Sequence, residues 1–293
     1  MPEAATSPYR VPFDGTFRVA EAPTTPPAGE ARDRDRNRDL LEERVERISD
    51  LQRILWAHDH HAVLLVFQAM DAAGKDGTIR AVLSGVNPAG CRVSSFKAPS
   101  SEELEHDFLW RTTRRLPERG QIGVFNRSYY EEVLVVRVHP RFLEGQRLVR
   151  DVPPERLWAE RFESIREHER HLARNGTLVL KFFLHVSREE QRRRFLDRLE
   201  EPDKRWKFRV GDVEERMRWG DYMHAYQEAL AATSRPWAPW YAIPADDKPF
   251  MRATVADIVA RSLEGLDLRY PQPREEDVVR FAEMRRLLEA EGA

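Results

Sequence analysis

Six consecutive apolar residues, Ala62-Val63-Leu64-Leu65-Val66-Phe67, run almost directly into a glycine-containing turn and then a helix-like stretch to about residue 86. A strand that is apolar on both faces must be covered on both faces, which is the situation of a strand inside a parallel sheet flanked by helices. The same alternation recurs along the chain. Strands are expected over 91–96, 122–125, 177–186 and 240–244. Helices are expected over 100–115, 154–174, 187–199, 212–232, 248–265 and 275–290, preceded by an amphipathic helix to about residue 57 carrying Leu41, Val45, Ile48, Leu51 and Leu55. Ser100 or Ser101 with Glu103 behind it forms a capping signal, Ser187 caps the 187–199 segment, and Asn175-Gly176 closes the helix before it. Strands alternating with helices imply βαβ units and a three-layer α/β fold.

The chain of 293 residues is long enough for one large domain, and no interior linker rich in Gly, Pro and Ser divides it. Residues 1–29, rich in Pro, Ala and Thr, read as an arm lying on the surface or on a neighbouring subunit, and residues 30–293 as a single domain. With 48 basic and 50 acidic side chains the formal net charge is −2, so the protein is not a general nucleic-acid binder and any anion site must be a local cluster. A single cysteine, Cys91, excludes an internal disulfide framework and a cysteine-ligated zinc site and fits a reducing compartment. No apolar run has the length of about 18–20 residues that spans a bilayer, and the first residues lack a signal-peptide pattern. A cytoplasmic protein with no membrane partner is expected. His58, His60 and His61 do not have the spacing of a common zinc site and read as helix-end residues.

The junction after the first strand, Ala69-Met70-Asp71-Ala72-Ala73-Gly74-Lys75-Asp76-Gly77-Thr78, lies where a doubly wound fold binds anions. Gly74 and Gly77 let the backbone approach phosphate oxygens, and Lys75 supplies a mobile point charge. The expected phosphate contacts are Ala73, Gly74, Lys75, Asp76, Gly77 and Thr78. The stretch is similar to a P-loop (Walker A) but has Ala69 where the first Gly would stand and Asp76 where Ser or Thr would follow the Lys. Asp71 is out of place in a phosphate cradle unless a cation lies between them, so it is assigned to Mg2+, or Mn2+ in its place. The alternative is that Asp71 merely caps the following helix.

A second strand end, Ile122-Gly123-Val124-Phe125, leads into Asn126-Arg127-Ser128-Tyr129-Tyr130-Glu131. Asn126 stands where a metal-binding Asp could be expected, and Glu131 could restore the carboxylate one turn later. Arg127 could hold phosphate oxygens in a fork, or could simply pair with Glu131. Between Arg192 and Arg209 there are eight basic and four acidic residues, a local excess against a slightly acidic background. This segment, within a helical lid over about 188–215, could close over a phosphate chain. Arg194 and Arg198, one turn apart, are assigned to phosphate, and Arg192 and Arg193 to solvated pairs.

The three stretches 69–78, 125–132 and Lys204-Arg205-Trp206-Lys207 with its preceding arginines, in this order and spacing, resemble the second polyphosphate kinase family, the polyphosphate:nucleotide phosphotransferases. The resemblance runs from about residue 40 to 289. It implies a P-loop kinase-like parallel sheet, similar to thymidylate kinase, with a helical lid, and Mg2+-dependent phosphoryl transfer between inorganic polyphosphate and AMP, ADP or ATP. It implies Asp71 as the metal-binding acid with Asn126 and Glu131 beside it, Lys75 as the phosphate lysine, and Arg127 as the strand-end arginine. Lys204 and Lys207 join Arg194 and Arg198 as lid contacts. Phe96-Lys97-Ala98-Pro99 and His106 to Arg111 also match, placing Lys97 and Arg111 beside the acceptor nucleotide. Asn126 and Glu131 resemble the subgroup that accepts both mono- and diphosphates. The family commonly forms homodimers or homotetramers.

The expected activity is direct in-line transfer from polyphosphate to ADP and AMP, reversible and without a covalent enzyme intermediate. Two other readings stay open from residues alone: an ATP-dependent nucleoside or nucleotide kinase on the same fold, and a non-catalytic polyphosphate-binding protein.

Overall fold

A computed structural model describes residues 1–28, 33–148, 152–203 and 205–291. In chain order the main elements are α1 (Arg34–His58), β1 (Ala62–Gln68), α2 (Lys75–Val82), β2 (Cys91–Ser95), α3 (Ser101–Leu104), α4 (Trp110–Thr113), β3 (Ile122–Asn126) and α5 (Val135–Val138). They continue with α6 (Pro154–Arg174), β4 (Thr177–His185), α7 (Arg188–Glu200), α8 (Val210–Met217), α9 (Trp219–Thr233), β5 (Trp240–Pro244), α10 (Lys248–Glu264) and α11 (Glu275–Glu291). The strands form one parallel sheet in the order β2-β3-β1-β4-β5.

The apolar run after His61 is the centre of that sheet. All seven residues of β1 are buried between β3 and β4, with Leu65 opposite Val124 on one side and Leu180 on the other. β3, β4 and β5 are almost wholly buried as well, whereas β2, with Arg92 and Ser94, is largely open to solvent as an edge strand should be. α1 and α10 pack closely together. α1 supplies Ile48 and Leu55, and α10 supplies Val255 and Val259, all fully buried. The expected cap at Ser187 is present, accepting from Glu190 N–H, and Asp33 and Asp247 cap α1 and α10 in the same way by accepting from Arg36 and Phe250 N–H.

The N-terminal arm follows the other edge of the sheet. Val11 N–H donates to Trp240 O at 2.9 Å and Ala242 N–H donates to Tyr9 O at 2.8 Å, an antiparallel contact that covers β5. It buries Val11 and Val19, more apolar surface than a Pro-rich composition suggests.

Two expected helices are broken. The capping box of Ser100 and Glu103 forms, but α3 ends at Leu104. Asp107 then accepts from Leu109 N–H, restarting the chain as α4, and His106 stacks on Trp110 with ring centroids 3.8 Å apart. The competing side-chain turn interrupts what sequence spacing reads as one helix. The expected 212–232 helix begins at Val210 and divides at Arg218, whose φ of −90° and ψ of 21° leave the helical range. Two different surfaces hold its halves. α8 is tied to α7 through Arg216, and α9 buries Tyr222, Tyr226 and Leu230.

Candidate active site

The carboxyl ends of β1, β3 and β4 meet at the middle of the sheet, where the chain order reverses from one side of β1 to the other. Open α/β sheets bind ligands there because strand ends and helix N-termini converge. Arg127 N–H donates to Phe67 O at 3.0 Å, fastening the β3 exit to β1.

After β1 the chain makes a tight turn. Ala72 has φ 60° and Gly74 φ 107°, and Ala73 N–H donates to Met70 O. Gly74 is the N-cap of α2, and Thr78 N–H is the first to bond back into the helix, to Gly74 O at 3.0 Å. The N–H groups of Lys75, Asp76 and Gly77 therefore have no intrahelical acceptor, and with the helix dipole they present positive partial charge. A Cβ on Gly74 would stand 3.2 Å from Met251 Cε, and at this φ any side chain is strained.

Lys75 curls over this turn and donates to Ala69 O at 3.0 Å. Around it lie Asp71, Asp76, Arg127 and Glu131. Arg127 Nη2 is 3.1 Å from Asp71 Oδ1 and its Nη1 is 3.7 Å from Glu131 Oε2. Asn126 Nδ2 donates to Asp76 Oδ1 at 2.6 Å, joining the two strand exits a second time. Burial pushes the Lys75 amine below its ordinary range, and the neighbouring Arg127 adds to that. Burial pushes the Glu131 carboxyl up, against the pull of Arg127 and Lys75. Arg127 is held charged mainly by Glu131. Two cations with two or three carboxylates form a polarised pocket in which each charge is compensated only by its neighbours.

Asp71, Lys75, Asn126, Arg127 and Glu131, with the 73–78 loop, are thus brought together as expected. The pairing of Arg127 with Glu131 does occur, but it includes Asp71 and sits at the strand ends rather than on an isolated helix face. Among the described residues, no group of three or more His, Cys, Asp or Glu side chains could hold a metal ion. The donor set fits Mg2+ all the same. That ion keeps several waters and takes one or two carboxylates plus substrate oxygens, so Asp71 with Asn126 or Glu131 suffices. The His58 ring lies tilted beside those of His60 and His61, with centroids 4.6 and 5.9 Å away, and the three make no such group.

Arg194 differs from its assignment. It is only 4% exposed, and every donor is already engaged: Nε with Glu190, Nη1 with Ala72 O and Ala73 O, and Nη2 with Ala245 O and Asp246 O. It props the 69–78 loop from behind and keeps no donor in reserve for a further acceptor. Arg198, one turn on, lies 3.6 Å from Asp212 and over the Phe195 ring. Arg192 and Arg193 pair with Glu189 and Glu190 at the surface. Lys204 lies outside the described residues, as does the side chain of Lys207.

Lys97 is exposed on the loop after β2, and its carbonyl accepts from Arg111 Nη1 at 2.7 Å. Arg111 is buried, lies over the Phe96 ring, and approaches Glu132 and Glu103 at 3.6 and 3.8 Å. It lines a cavity of about 190 Å3 with His106, Phe108, Glu132 and Arg161.

Two contributors escaped the sequence reading. Gln191, 1% exposed, donates to Asp71 O at 2.9 Å and accepts from Arg216 of α8 at 2.8 Å. It stands three residues before Arg194 on the same face of α7, and that spacing was the available signal. Asp212 faces the site from α8. Its carboxyl is pushed up by burial first and then by the charge of Asp71.

Residues 31–271 match the family described as Polyphosphate kinase 2 (PPK2). The chain is 58% identical over 235 residues to the ADP-polyphosphate phosphotransferase of Rhodopseudomonas palustris, covering 80% of this chain and 81% of that one. It is 45% identical over 265 residues to the AMP/ADP-polyphosphate phosphotransferase of Meiothermus ruber, covering 90% and 95%. Its fold superposes on the crystal structure of Polyphosphate Kinase 2 from Arthrobacter aurescens TC1 with a TM-score of 0.86 and 35% identity, covering 97% and 98% of the two chains. The phosphate loop after the central strand, the charged strand end beside it and these likenesses lead to one conclusion: the chain belongs to the polyphosphate kinase 2 family.

Proposed function

We propose that this enzyme transfers the terminal phosphoryl group of inorganic polyphosphate to ADP and AMP, reversibly and with Mg2+. The observation that carries the reading is the junction of the 69–78 loop with Arg127. There one lysine, one arginine and three N–H groups without intrahelical acceptors lie close to Asp71. Phosphoryl transfer with a loose transition state asks a protein for position and charge neutralisation rather than for a nucleophile.

Lys75 and Arg127 would neutralise the oxygens of the transferring group, and the α2 N–H groups would hold the chain of phosphates behind it. Mg2+, held by Asp71 with Asn126 or Glu131 and water, would supply charge compensation between the two phosphate groups. An acceptor phosphate is ionised at neutral pH, so no strong base is required, and Glu131 serves to hold Arg127 in place. Arg111 and Lys97 would border the acceptor nucleotide, and Arg198, Lys204 and Lys207 would meet the polyphosphate from the 188–215 segment. The M. ruber relative, named for both AMP and ADP, supports the dual acceptor range. The same reading takes the protein as a cytoplasmic homodimer or homotetramer, which light scattering of the purified protein tests.

The deciding experiment crosses polyphosphate and ATP as donors against AMP, ADP, GMP and GDP as acceptors, with Mg2+ and with EDTA. ATP formed from ADP and polyphosphate alone, and abolished by EDTA, is the expected result. Transfer from ATP only would instead favour a nucleotide kinase on the same fold, and binding without turnover a polyphosphate-binding protein.

A further inference from the structure

Behind the active site lies a charged pair that the transfer chemistry does not use. Glu169 of α6 and Lys181 of β4 are both completely buried, with Lys181 Nζ 2.6 Å from Glu169 Oε2. Every polar atom of the pair has a partner. Lys181 also donates to Tyr130 Oη at 2.8 Å and to Thr233 O at 2.9 Å. Glu169 Oε1 accepts from the hydroxyls of both Tyr129 and Tyr130, each at 2.9 Å. Tyr130 Oη also lies 2.8 Å from Thr233 Oγ1, which accepts from Trp240 Nε1.

Such a pair is poorly explained by stability, because two desolvated charges are often no better than two apolar side chains of the same volume. What the pair touches is more informative. Tyr129 and Tyr130 belong to the segment that carries Arg127 and Glu131. That segment has an unfavourable start, since Arg127 sits at φ 63°, a left-handed conformation that a side chain with a Cβ resists. It is fastened on its β1 side by Arg127 N–H to Phe67 O and by Gln68 Nε2 to Ser128 Oγ at 3.3 Å, and it is closed internally by Glu131 N–H to Ser128 O. On its other side Arg161 donates to Glu132 O at 2.8 Å, and Glu169 with Lys181 anchors the two tyrosine hydroxyls.

We infer that Glu169 and Lys181 are positioning residues, which act through the Tyr129 and Tyr130 hydroxyls to hold Arg127 and Glu131 in their reactive arrangement. The inference rests on the proposed polyphosphate-dependent transfer. A low-dielectric, fully satisfied network is rigid, and the loss of one acceptor leaves two tyrosine hydroxyls without a partner. Neither Glu169 nor Lys181 touches substrate, so their removal should alter the rate of the chemical step more than the binding of either substrate.

The test uses two full-length variants and the wild type, each assayed for ATP formation from ADP and polyphosphate. Glu169→Leu/Lys181→Met removes the charges together and keeps apolar volume. Tyr129→Phe/Tyr130→Phe leaves the Glu169–Lys181 pair intact and removes only the hydroxyls. In both, kcat is expected to fall about 10- to 100-fold with KM for ADP and for polyphosphate within about threefold, while the melting temperature, lowered by the unpaired buried groups, stays well above the assay temperature. A Glu169→Gln variant, which can still accept from a tyrosine hydroxyl, should recover part of that loss. Wild-type kcat in either double variant, or a loss of activity that comes only from unfolding at the assay temperature, overturns the inference. If the first variant fails to fold, the tyrosine variant decides alone. Absence of turnover in the wild type would count against the proposed function rather than against the network, which keeps the two failures apart.

Discussion

Replacing Lys75 by Met tests the active-site reading most directly. Met preserves most of the stem that crosses the 69–78 loop and removes the ammonium that donates to Ala69 O at 3.0 Å. The lost charge lies among Asp71, Asp76 and Glu131. With substrate bound it would face the oxygens of the transferring phosphoryl group, where charge builds up as the bond breaks. A preorganised donor of this kind is worth about 100- to 1,000-fold in kcat, and a full positive charge on a transferring phosphoryl group about 1,000-fold or more. The expected loss in kcat is therefore about 1,000-fold, equivalent to about 4 kcal/mol of transition-state stabilisation. Stability should hardly change. Burial already disfavours the charged amine, so its removal relieves desolvation while it loses the attraction of the nearby acids. We expect a melting shift within about 2–4 °C, the scale of about 1 kcal/mol for a chain of this size. The assay is initial-rate ATP formation from ADP, Mg2+ and polyphosphate, with thermal unfolding measured on the same preparation. Arg192→Ala, at an exposed arginine paired with Glu189, is the control and should stay within about twofold of the wild type. A Lys75→Met enzyme within about tenfold of wild-type kcat would refute the role given to this residue.

Three other outcomes follow from the geometry. Arg194→Ala strands four backbone carbonyls and Glu190, so it should lower stability by about 3 kcal/mol and the melting temperature by about 6–12 °C. An unchanged melting temperature with a raised KM for polyphosphate would instead make Arg194 a phosphate ligand. Gly74→Ala forces a Cβ onto φ 107° and against Met251 Cε, and should lower stability by about 1–2 kcal/mol and slow turnover, read by chemical denaturation and by kcat. Burial pushes the Lys181 amine down to about 8 in the folded chain, while its ordinary value is 10.5. Between those values the unfolded chain binds a proton that the folded chain does not, so this group's contribution falls as pH drops through about 8. Relative to Glu169→Leu/Lys181→Met, wild-type stability should rise from pH 8 to 10 by up to about 1.4 kcal/mol per pH unit, measured by urea unfolding. A parallel pH dependence of the two proteins would contradict the low Lys181 value.

The layered α/β class, the parallel sheet and the phosphate loop were legible in the sequence because they depend on local pattern. An apolar run with no polar alternation has to be buried on both faces, and glycines at a strand-to-helix junction leave room for a backbone turn. Asp71, Lys75, Asn126, Arg127 and Glu131 were legible for the same reason, each lying within a few residues of a recognisable strand end. Helix length was less legible. The 100–115 segment has helical spacing throughout, and only the Asp107 turn and the stacking of His106 on Trp110 show why it stops and restarts.

What each charge does was decided by tertiary structure. Arg194 and Arg198 look alike in sequence, yet the first is buried under the loop with every donor engaged, and the second remains near Asp212 on the side facing α8. Glu169 and Lys181, twelve residues apart on a helix and a strand, look like an ordinary surface glutamate and an interruption in an apolar strand. They become a pair only because α6 lies against β4. Sequence pattern specifies which residues prefer the interior. Whether a charge that enters the interior meets backbone carbonyls, an opposite charge or open space depends on distances between segments far apart in the chain, and in a low-dielectric interior those distances decide its role.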